Sequence, residues 1–307
     1  MLCRRVEGKR FTGRTAPDAR SDPCILMLQS DAWGRMTDAG TLERIDDSAA
    51  TRDSGHAAED LSQGRLTLAR SFLSRQDWSA YTPEQHSVWA DLVKRRMPQL
   101  REHACAEYLD GFQQIGLKET QLPDLTAVSA LLGPRTGWSS TPVSGFLPAD
   151  AFFEMLAARM FPTTTWLRSR ESMDYTPEPD IFHDVFGHVP MHAHPVFASF
   201  LEHFGTVCAG VVDRPDALER LGRLFWFTVE FGLIRQNGKI KVYGSGLISS
   251  HGECTRVLDG GCEIRDFKLD DVLNQAMKTN EMQKVLFAVD SFDQMYEAMQ
   301  QAPSRII

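Results

Sequence analysis

The stretch Y-T-P-E-P-D-I-F-H-D-V-F-G-H, residues 175–188, decides how the rest of the chain is read. It carries two histidines, His183 and His188, five positions apart. On an ideal α-helix, at roughly 100° per residue, they would point about 140° from each other and share no face. The spacing is not the i, i+4 of H-E-x-x-H zinc proteases, and Asp184 stands where that motif has its general-base glutamate. For both imidazoles to reach one ion, the second must lie where the helix ends or distorts. Gly187 before it and Pro190 after it supply such an ending.

Working outward, Glu230 lies in L-F-W-F-T-V-E-F-G-L-I, residues 224–234. Its neighbours three and four positions away are Phe227, Trp226, Leu233 and Ile234, so a helix through this run gives the carboxylate an apolar face. An ionised carboxylate in such surroundings is costly unless a cation is near. Two neutral imidazoles and one carboxylate, with coordination positions left open, form the donor set of non-haem Fe(II) sites that use O2.

Three runs in order, Y-T-P-E-P-D-x-x-H-D-x-x-G-H-V-P (175–190), F-T-V-E-F-G-L (227–233) and Y-G-S-G-L-I-S-S-x-G-E (243–253), resemble the pterin-dependent aromatic amino acid hydroxylases, and their bacterial branch above all. The resemblance extends from Q-D-W-S-A-Y-T-P-E-Q-H-S-V-W, around Trp78, to V-D-S-F-D-Q-M, around Phe292. It implies a mainly α fold with a small β-sheet, an aromatic amino acid hydroxylase catalytic domain spanning residues 76–300. It implies that His183, His188 and Glu230 hold Fe(II). It also implies that tetrahydrobiopterin or a related reduced pterin binds along the backbone of Gly145, Leu147 and Ala149, with Phe152 stacked on the ring. Glu178, Asp184 and Phe225 are placed on the pterin side by the same likeness, Phe225 where many relatives have tyrosine.

For the substrate, the resemblance points to Arg168 as the clamp on the amino acid carboxylate. A guanidinium suits this because its planar fork matches a carboxylate bidentately. Arg170 is the nearby competitor, and the spacing from Arg168 to Tyr175 is what matches the family. Thr176, Pro179 and Asp180 would line the amino acid site, with Trp226 and Phe231 as walls for the ring. Asp180, one helical turn before His183, could accept from that imidazole or anchor substrate. Ser249 would hydrogen-bond the ligating histidine or the substrate carboxylate. His192 and His194 fit no motif and are expected at the surface. The implied activity is hydroxylation of an aromatic L-amino acid, phenylalanine to tyrosine, with O2 and a reduced pterin. Many bacterial members have aromatic bulk where Thr165 stands, which keeps tryptophan as substrate, or meta-hydroxylation of phenylalanine, as alternatives. Readings of another class are an inactive metal-binding or amino-acid-sensing relative and a zinc hydrolase.

Composition agrees with a globular enzyme. Of 307 residues, 42% are hydrophobic and 24% charged, and Lys+Arg 33 against Asp+Glu 41 leaves a net charge of -8. That balance, with no basic stripe interleaved with aromatics, argues against nucleic acid as a partner. No apolar run approaches the ~20 residues of a membrane span. The six cysteines form no C-x-x-C pair, and no signal-like apolar run precedes them, so reduced thiols in a cytoplasmic enzyme are expected.

Residues 1–75 lack sustained periodicity and are rich in Arg, Asp, Ser, Thr, Gly and Ala; they are expected to be a disordered extension without a regulatory domain. Thr82, Pro83 and Gln85 announce a helix through a capping box. Val88, Leu92 and Val93 would be its buried face, and Pro98 would separate it from a second helix carrying Leu100, Ala104, Tyr108 and Phe112. Further helices are expected over 122–133, closed by Gly133-Pro134, and over 150–160, 195–209 and 215–234. A strand is expected over 239–248, and another over 285–289. No heptad tail follows, so a monomer or weak dimer is expected.

Overall fold

The structure, a computed structural model, describes residues 66–306 apart from 146, 175, 177 and 278–281. The first long helix, α1 (Pro83–His103), starts as its sequence dictates: Thr82 Oγ1 accepts from the Gln85 backbone N–H, and Gln85 Oε1 accepts from Thr82 N–H at 2.9 Å. Its buried face runs Val88, Trp89, Leu92, Val93, Arg96, Met97 and Leu100. Pro98 does not divide it as expected. The carbonyl that proline leaves without a helical donor is that of Lys94, an exposed residue open to solvent, and the helix continues to His103. α2 (Ala106–Gln114) follows after a one-residue cap at Cys105.

α3 (Leu125–Thr136) likewise passes through Pro134, where closure at Gly133-Pro134 is expected, and stops instead at Gly137, whose left-handed φ of 77° ends it. A two-stranded parallel sheet, β1 (Ser139–Pro142) with β2 (Met160–Thr163), brackets α4 (Ala149–Ala157). The 150–160 helix therefore ends early, and Met160 begins a strand.

The extension expected over 1–75 falls mostly outside the described residues, but 66–75 are folded. Leu66 and Ala69 are buried in a small cluster with Val143, Leu147, Ala151, Met155 and Met160. The Glu154 carboxylate on α4 accepts from the backbone N–H groups of Thr67, Leu68 and Ala69 at 2.7–2.8 Å, pinning this segment.

α5 (Pro195–Ala209) agrees with its expected bounds. The following expected helix does not: α6 (Pro215–Phe225) passes into a π-helical turn, Trp226–Glu230, and the chain then becomes strand β3 (Leu233–Gln236). β3 pairs antiparallel with β4 (Lys239–Val242) across Asn237-Gly238, whose φ values of 52° and 73° are those of a tight hairpin. The strand expected to reach 248 thus ends at Val242. The chain turns at Gly244, enters the short helix α7 (Ser245–Ser249) and then α8 (His251–Leu258). β5 (Glu263–Asp266), α9 (Leu269–Asn274), β6 (Val285–Val289) and α10 (Phe292–Ile306) complete the described chain. The second sheet has the order β4-β3-β6-β5, parallel except for the hairpin. Helices dominate, and the sheets are small. Among the described residues no helix is long and apolar enough to cross a membrane.

Candidate metal centre

His183 and His188 lie on one π-helical turn, Phe182–His188. A turn closed by i→i+5 hydrogen bonds brings residues five apart toward a common face, which an α-helix does not. The distortion required by their spacing is therefore the whole segment rather than an ending at Gly187. Glu230 closes the second π turn. The two turns meet α7 through glycines. A Cβ on Gly187 would stand 3.2 Å from the Ser245 side chain, and one on Gly244 would stand 2.4 Å from the Glu230 carbonyl. Backbone approaches backbone here because no side chain intervenes.

At the centre, His183 Nε2 and His188 Nε2 are 3.2 Å apart, with His188 Nε2 3.2 Å and His183 Nε2 3.8 Å from the Glu230 carboxylate oxygens. All three residues are buried, and their donor atoms lie within 4.8 Å of one another. Donors that share one ion at about 2.0–2.2 Å each have this spacing. Ser249 Oγ gives its proton to Ser245 O at 2.8 Å, so at 3.0 Å from His183 it accepts from Nδ1–H. The lone pair of His183 is thereby left on Nε2, toward the other two donors. Ser245 Oγ donates to Glu230 Oε2 at 2.6 Å. Burial pushes the Glu230 carboxyl up, but positive charge at His188 and His183, whose place a bound cation would take, and this hydroxyl outweigh it and hold it well below the ordinary carboxylate range. Two imidazole lone pairs and a dry carboxylate facing one another fit a divalent cation.

Around this centre the expected residues fall into distinct places. Asp180 is fully buried; it takes two bonds from the Arg168 guanidinium and accepts from the backbone N–H of His183 at 3.1 Å. It does not hold the His183 ring, as had been one expectation, because Ser249 already occupies Nδ1. Asp184, buried, accepts from the Thr164 N–H at 2.8 Å, and burial pushes its carboxyl up to about 6. Trp226 and Phe231 pack with ring centroids 4.5 Å apart, both buried. Phe152 is half-buried and meets Phe225 edge-on at 6.1 Å, while Phe153 beside it is core. Gly145 is exposed with φ 99°, Ala149 opens α4, and Leu147 sends its side chain into the small cluster. Thr176 and Pro179 are half-buried and Glu178 is exposed, with Thr176 Oγ1 donating to the Glu178 carbonyl. Arg170 is taken up at the surface by Glu84 and Asp91.

His192 corrects its expected surface position. Its ring is fully buried against Trp138, Phe161 and Phe197, and Nδ1 is 3.0 Å from the His188 carbonyl. Burial, then the neighbouring His188, push its pKa down to about 3. His194 is half-buried and caps α5. Neither belongs to the donor group. Ser245 escaped the sequence reading. Its signal is the spacing Ser245/Ser249, i and i+4, which shares a face once the run is read as a helical turn instead of a strand.

Fold and site together define a mononuclear 2-His-1-carboxylate protein built on a mainly helical domain. A sequence model of the biopterin-dependent aromatic amino acid hydroxylases matches residues 72–306, and the chain belongs to this family. It is 40% identical over 232 residues to the phenylalanine-4-hydroxylase of Chromobacterium violaceum, covering 75% of this chain and 77% of that one. It is 38% identical over 230 residues to the tyrosine 3-monooxygenase of Rattus norvegicus, covering 74% of this chain and 46% of the other. Among solved structures it resembles the Chromobacterium violaceum phenylalanine hydroxylase with bound iron(III) and 7,8-dihydrobiopterin, with TM-score 0.72, 36% identity, and coverage of 82% and 91%.

Proposed function

We propose that this chain hydroxylates phenylalanine to tyrosine, using Fe(II) held by His183, His188 and Glu230, a reduced pterin and O2. The observation that carries the reading is the buried donor triangle, in a chain whose family is a hydroxylase family. When bound, the iron would activate O2 and the reduced pterin would supply two electrons, the other two coming from the hydroxylated substrate, so that one oxygen atom goes to the ring and the other leaves on the reduced partner.

The chain's own residues arrange that chemistry. Ser249 keeps the proton of His183 on Nδ1, and Ser245 keeps one oxygen of Glu230 in place, so the donors need no rearrangement to take the ion. Arg168, held in orientation by Asp180, offers its remaining N–H groups to the substrate carboxylate. Trp226 and Phe231 form a dry aromatic wall for the substrate ring, which keeps water from the oxidant. Phe152, half-exposed at the start of α4, is the ring against which the pterin stacks, with Gly145, Leu147 and Ala149 supplying backbone groups and Glu178, Asp184 and Phe225 bordering it. Thr176 and Pro179 border the amino acid. We further read the chain as a cytoplasmic monomer or weak dimer that does not bind nucleic acid.

The test is anaerobic Fe(II) loading of the full chain, followed by O2, tetrahydrobiopterin and each of phenylalanine, tryptophan and tyrosine, with products identified by chromatography and mass. para-Tyrosine is expected. meta-Tyrosine or a hydroxytryptophan as main product would overturn the assigned substrate or ring position, and no product would overturn the activity.

A further inference from the structure

Arg96 is 2% exposed, while Lys94 and Arg95 beside it on α1 face water. Among the described residues no ion pair joins it to a carboxylate, so its charge is met by dipoles. Nε donates to the Ile248 carbonyl at 2.8 Å and Nη2 to the Leu247 carbonyl at 3.0 Å. Nη1 donates to Gln99 Oε1 and stands 3.3 Å from His251 Nδ1.

Both carbonyls belong to α7, a helix of five residues. The last carbonyls of a helix have no partner within it. Ser245 O accepts from Ser249 Oγ, and Gly246 O accepts from the Ser250 N–H at 3.1 Å. Leu247 O and Ile248 O are the next two, and both residues are fully buried, so no water replaces a missing donor. The Arg96 fork spans the pair. A planar guanidinium, with its donors in a fixed fork, is suited to bridge two adjacent carbonyls in the dry interior.

We propose that Arg96 is a positioning residue for the metal centre. By holding the C-terminal carbonyls of α7 it sets the place of Ser245 and Ser249, and through them the Glu230 carboxylate and the His183 ring. It touches neither substrate nor metal. The inference rests on the metal reading above and adds the third layer that keeps the donor triangle in register.

A merely structural arginine would lower stability alone; a positioning one weakens the metal beyond any loss of stability. The experiment titrates Fe(II) anaerobically, and Co(II) as a visible-spectrum probe, into the full chain as wild type, Arg96→Leu, Arg96→Lys and Val128→Ala, with thermal unfolding of each. Val128→Ala is a buried deletion on α3 that controls for stability. Arg96→Leu is expected to bind both metals about 10- to 100-fold more weakly. Arg96→Lys, which can reach the carbonyls but cannot bridge them in one plane, should fall between, and Val128→Ala should lose Tm and keep its affinity. Arg96→Leu with wild-type affinity and Co(II) spectrum overturns the proposal, as does an equal loss of affinity in Val128→Ala. Where Arg96→Leu does not fold, Arg96→Lys decides: weaker binding with a changed Co(II) spectrum supports the role, and wild-type values overturn it. A wild-type chain that takes neither metal overturns the metal reading itself, so the two failures are told apart.

Discussion

Arg168 and Asp180 meet as a two-bond fork, Nε to Oδ2 at 2.8 Å and Nη2 to Oδ1 at 2.7 Å, with Asp180 fully buried, the Arg168 side chain 9% exposed and the guanidinium 5.6 Å from the centre of the Phe182 ring. Two residues expected to touch substrate separately are thus one unit. Asp180 spends its oxygens on Arg168 and on two backbone N–H groups, leaving the arginine's other edge for a carboxylate. Arg168→Ala should raise KM for the amino acid at least tenfold, or about 1.4 kcal/mol, while iron stays bound. Either truncation breaks the pair: Asp180→Ala strands the guanidinium and Arg168→Ala strands the fully buried carboxylate, so each should also destabilise the fold by about 3–5 kcal/mol. Steady-state kinetics on folded protein read the clamp and denaturant unfolding reads the pair, and an unchanged KM in Arg168→Ala would move the carboxylate clamp elsewhere.

Glu230 is held ionised among two imidazoles and a serine hydroxyl. Glu230→Gln keeps the shape but loses the charge, so Fe(II) should no longer copurify or bind stoichiometrically. Metal analysis after anaerobic loading reads this directly. Full retention of iron would remove Glu230 from the ligand set.

Gly244 sits where an added Cβ would stand 2.3 Å from Gly232 N and 2.4 Å from Glu230 O. These are backbone atoms of the π turn and of the link from it to β3, and they cannot swing aside. Gly244→Ala should therefore destabilise by about 3 kcal/mol, the upper end for an overpacked interior, and should weaken metal binding with it. Gly252, whose Cβ would meet nothing within 4 Å, is the control position for alanine. A Gly244→Ala chain as stable as Gly252→Ala would contradict the close approach.

Burial pushes the Glu154 carboxyl up, but bonds from the Thr67 hydroxyl and the backbone N–H groups of residues 67–69 outweigh it and hold it below its ordinary 4.5. The folded pKa is depressed, so this clamp is fully present above pH 4.5 and is lost as pH falls below that value. Limited proteolysis around residues 66–72 should accelerate in that window for wild type, and at all pH values for Glu154→Ala. Equal cleavage of the two at pH 7 would sink the assignment.

His192 is a base with a depressed folded pKa, about 3 against 6.5 unfolded. Below 6.5 the unfolded chain takes the proton first, so stability is lost as pH falls from about 6.5 toward about 3, by up to ~1.4 kcal/mol per pH unit. Its Nε2 is buried with no hydrogen-bond partner among the described residues. His192→Leu should flatten this acid slope and cost about 1–3 kcal/mol at pH 8, because it removes the Nδ1–H that the His188 carbonyl accepts. Unfolding curves at pH 5 and pH 8 supply the check; an unaltered slope would assign the acid sensitivity to other groups.

Local signals set the elements where one residue's chemistry suffices. The Thr82/Gln85 box started α1, and the apolar run Val285–Val289 is a strand with the expected bounds. Signals that depend on surroundings misled. Pro98 and Pro134 read as helix breakers, yet each leaves its unpaired carbonyl at an exposed residue, where the loss of a helical donor costs least. The Asn237-Gly238 hairpin was visible in principle as a two-residue turn between apolar runs, but the helical period of the preceding segment masked it.

The sequence by itself determined the donor types: two histidines five apart and a carboxylate among aromatics admit few roles other than a shared ion, because an uncompensated charge in that setting is too costly. Only the tertiary structure decided how they converge. Two π turns brought non-adjacent faces together, Ser249 rather than Asp180 held the His183 ring, and Asp180 closed on Arg168. It also buried His192 and turned Arg96 toward α7. The reason is physical: residue type and spacing fix what a side chain can donate or accept, whereas its partner is chosen by which backbone segments pack closely enough to leave a dry polar group in need of one.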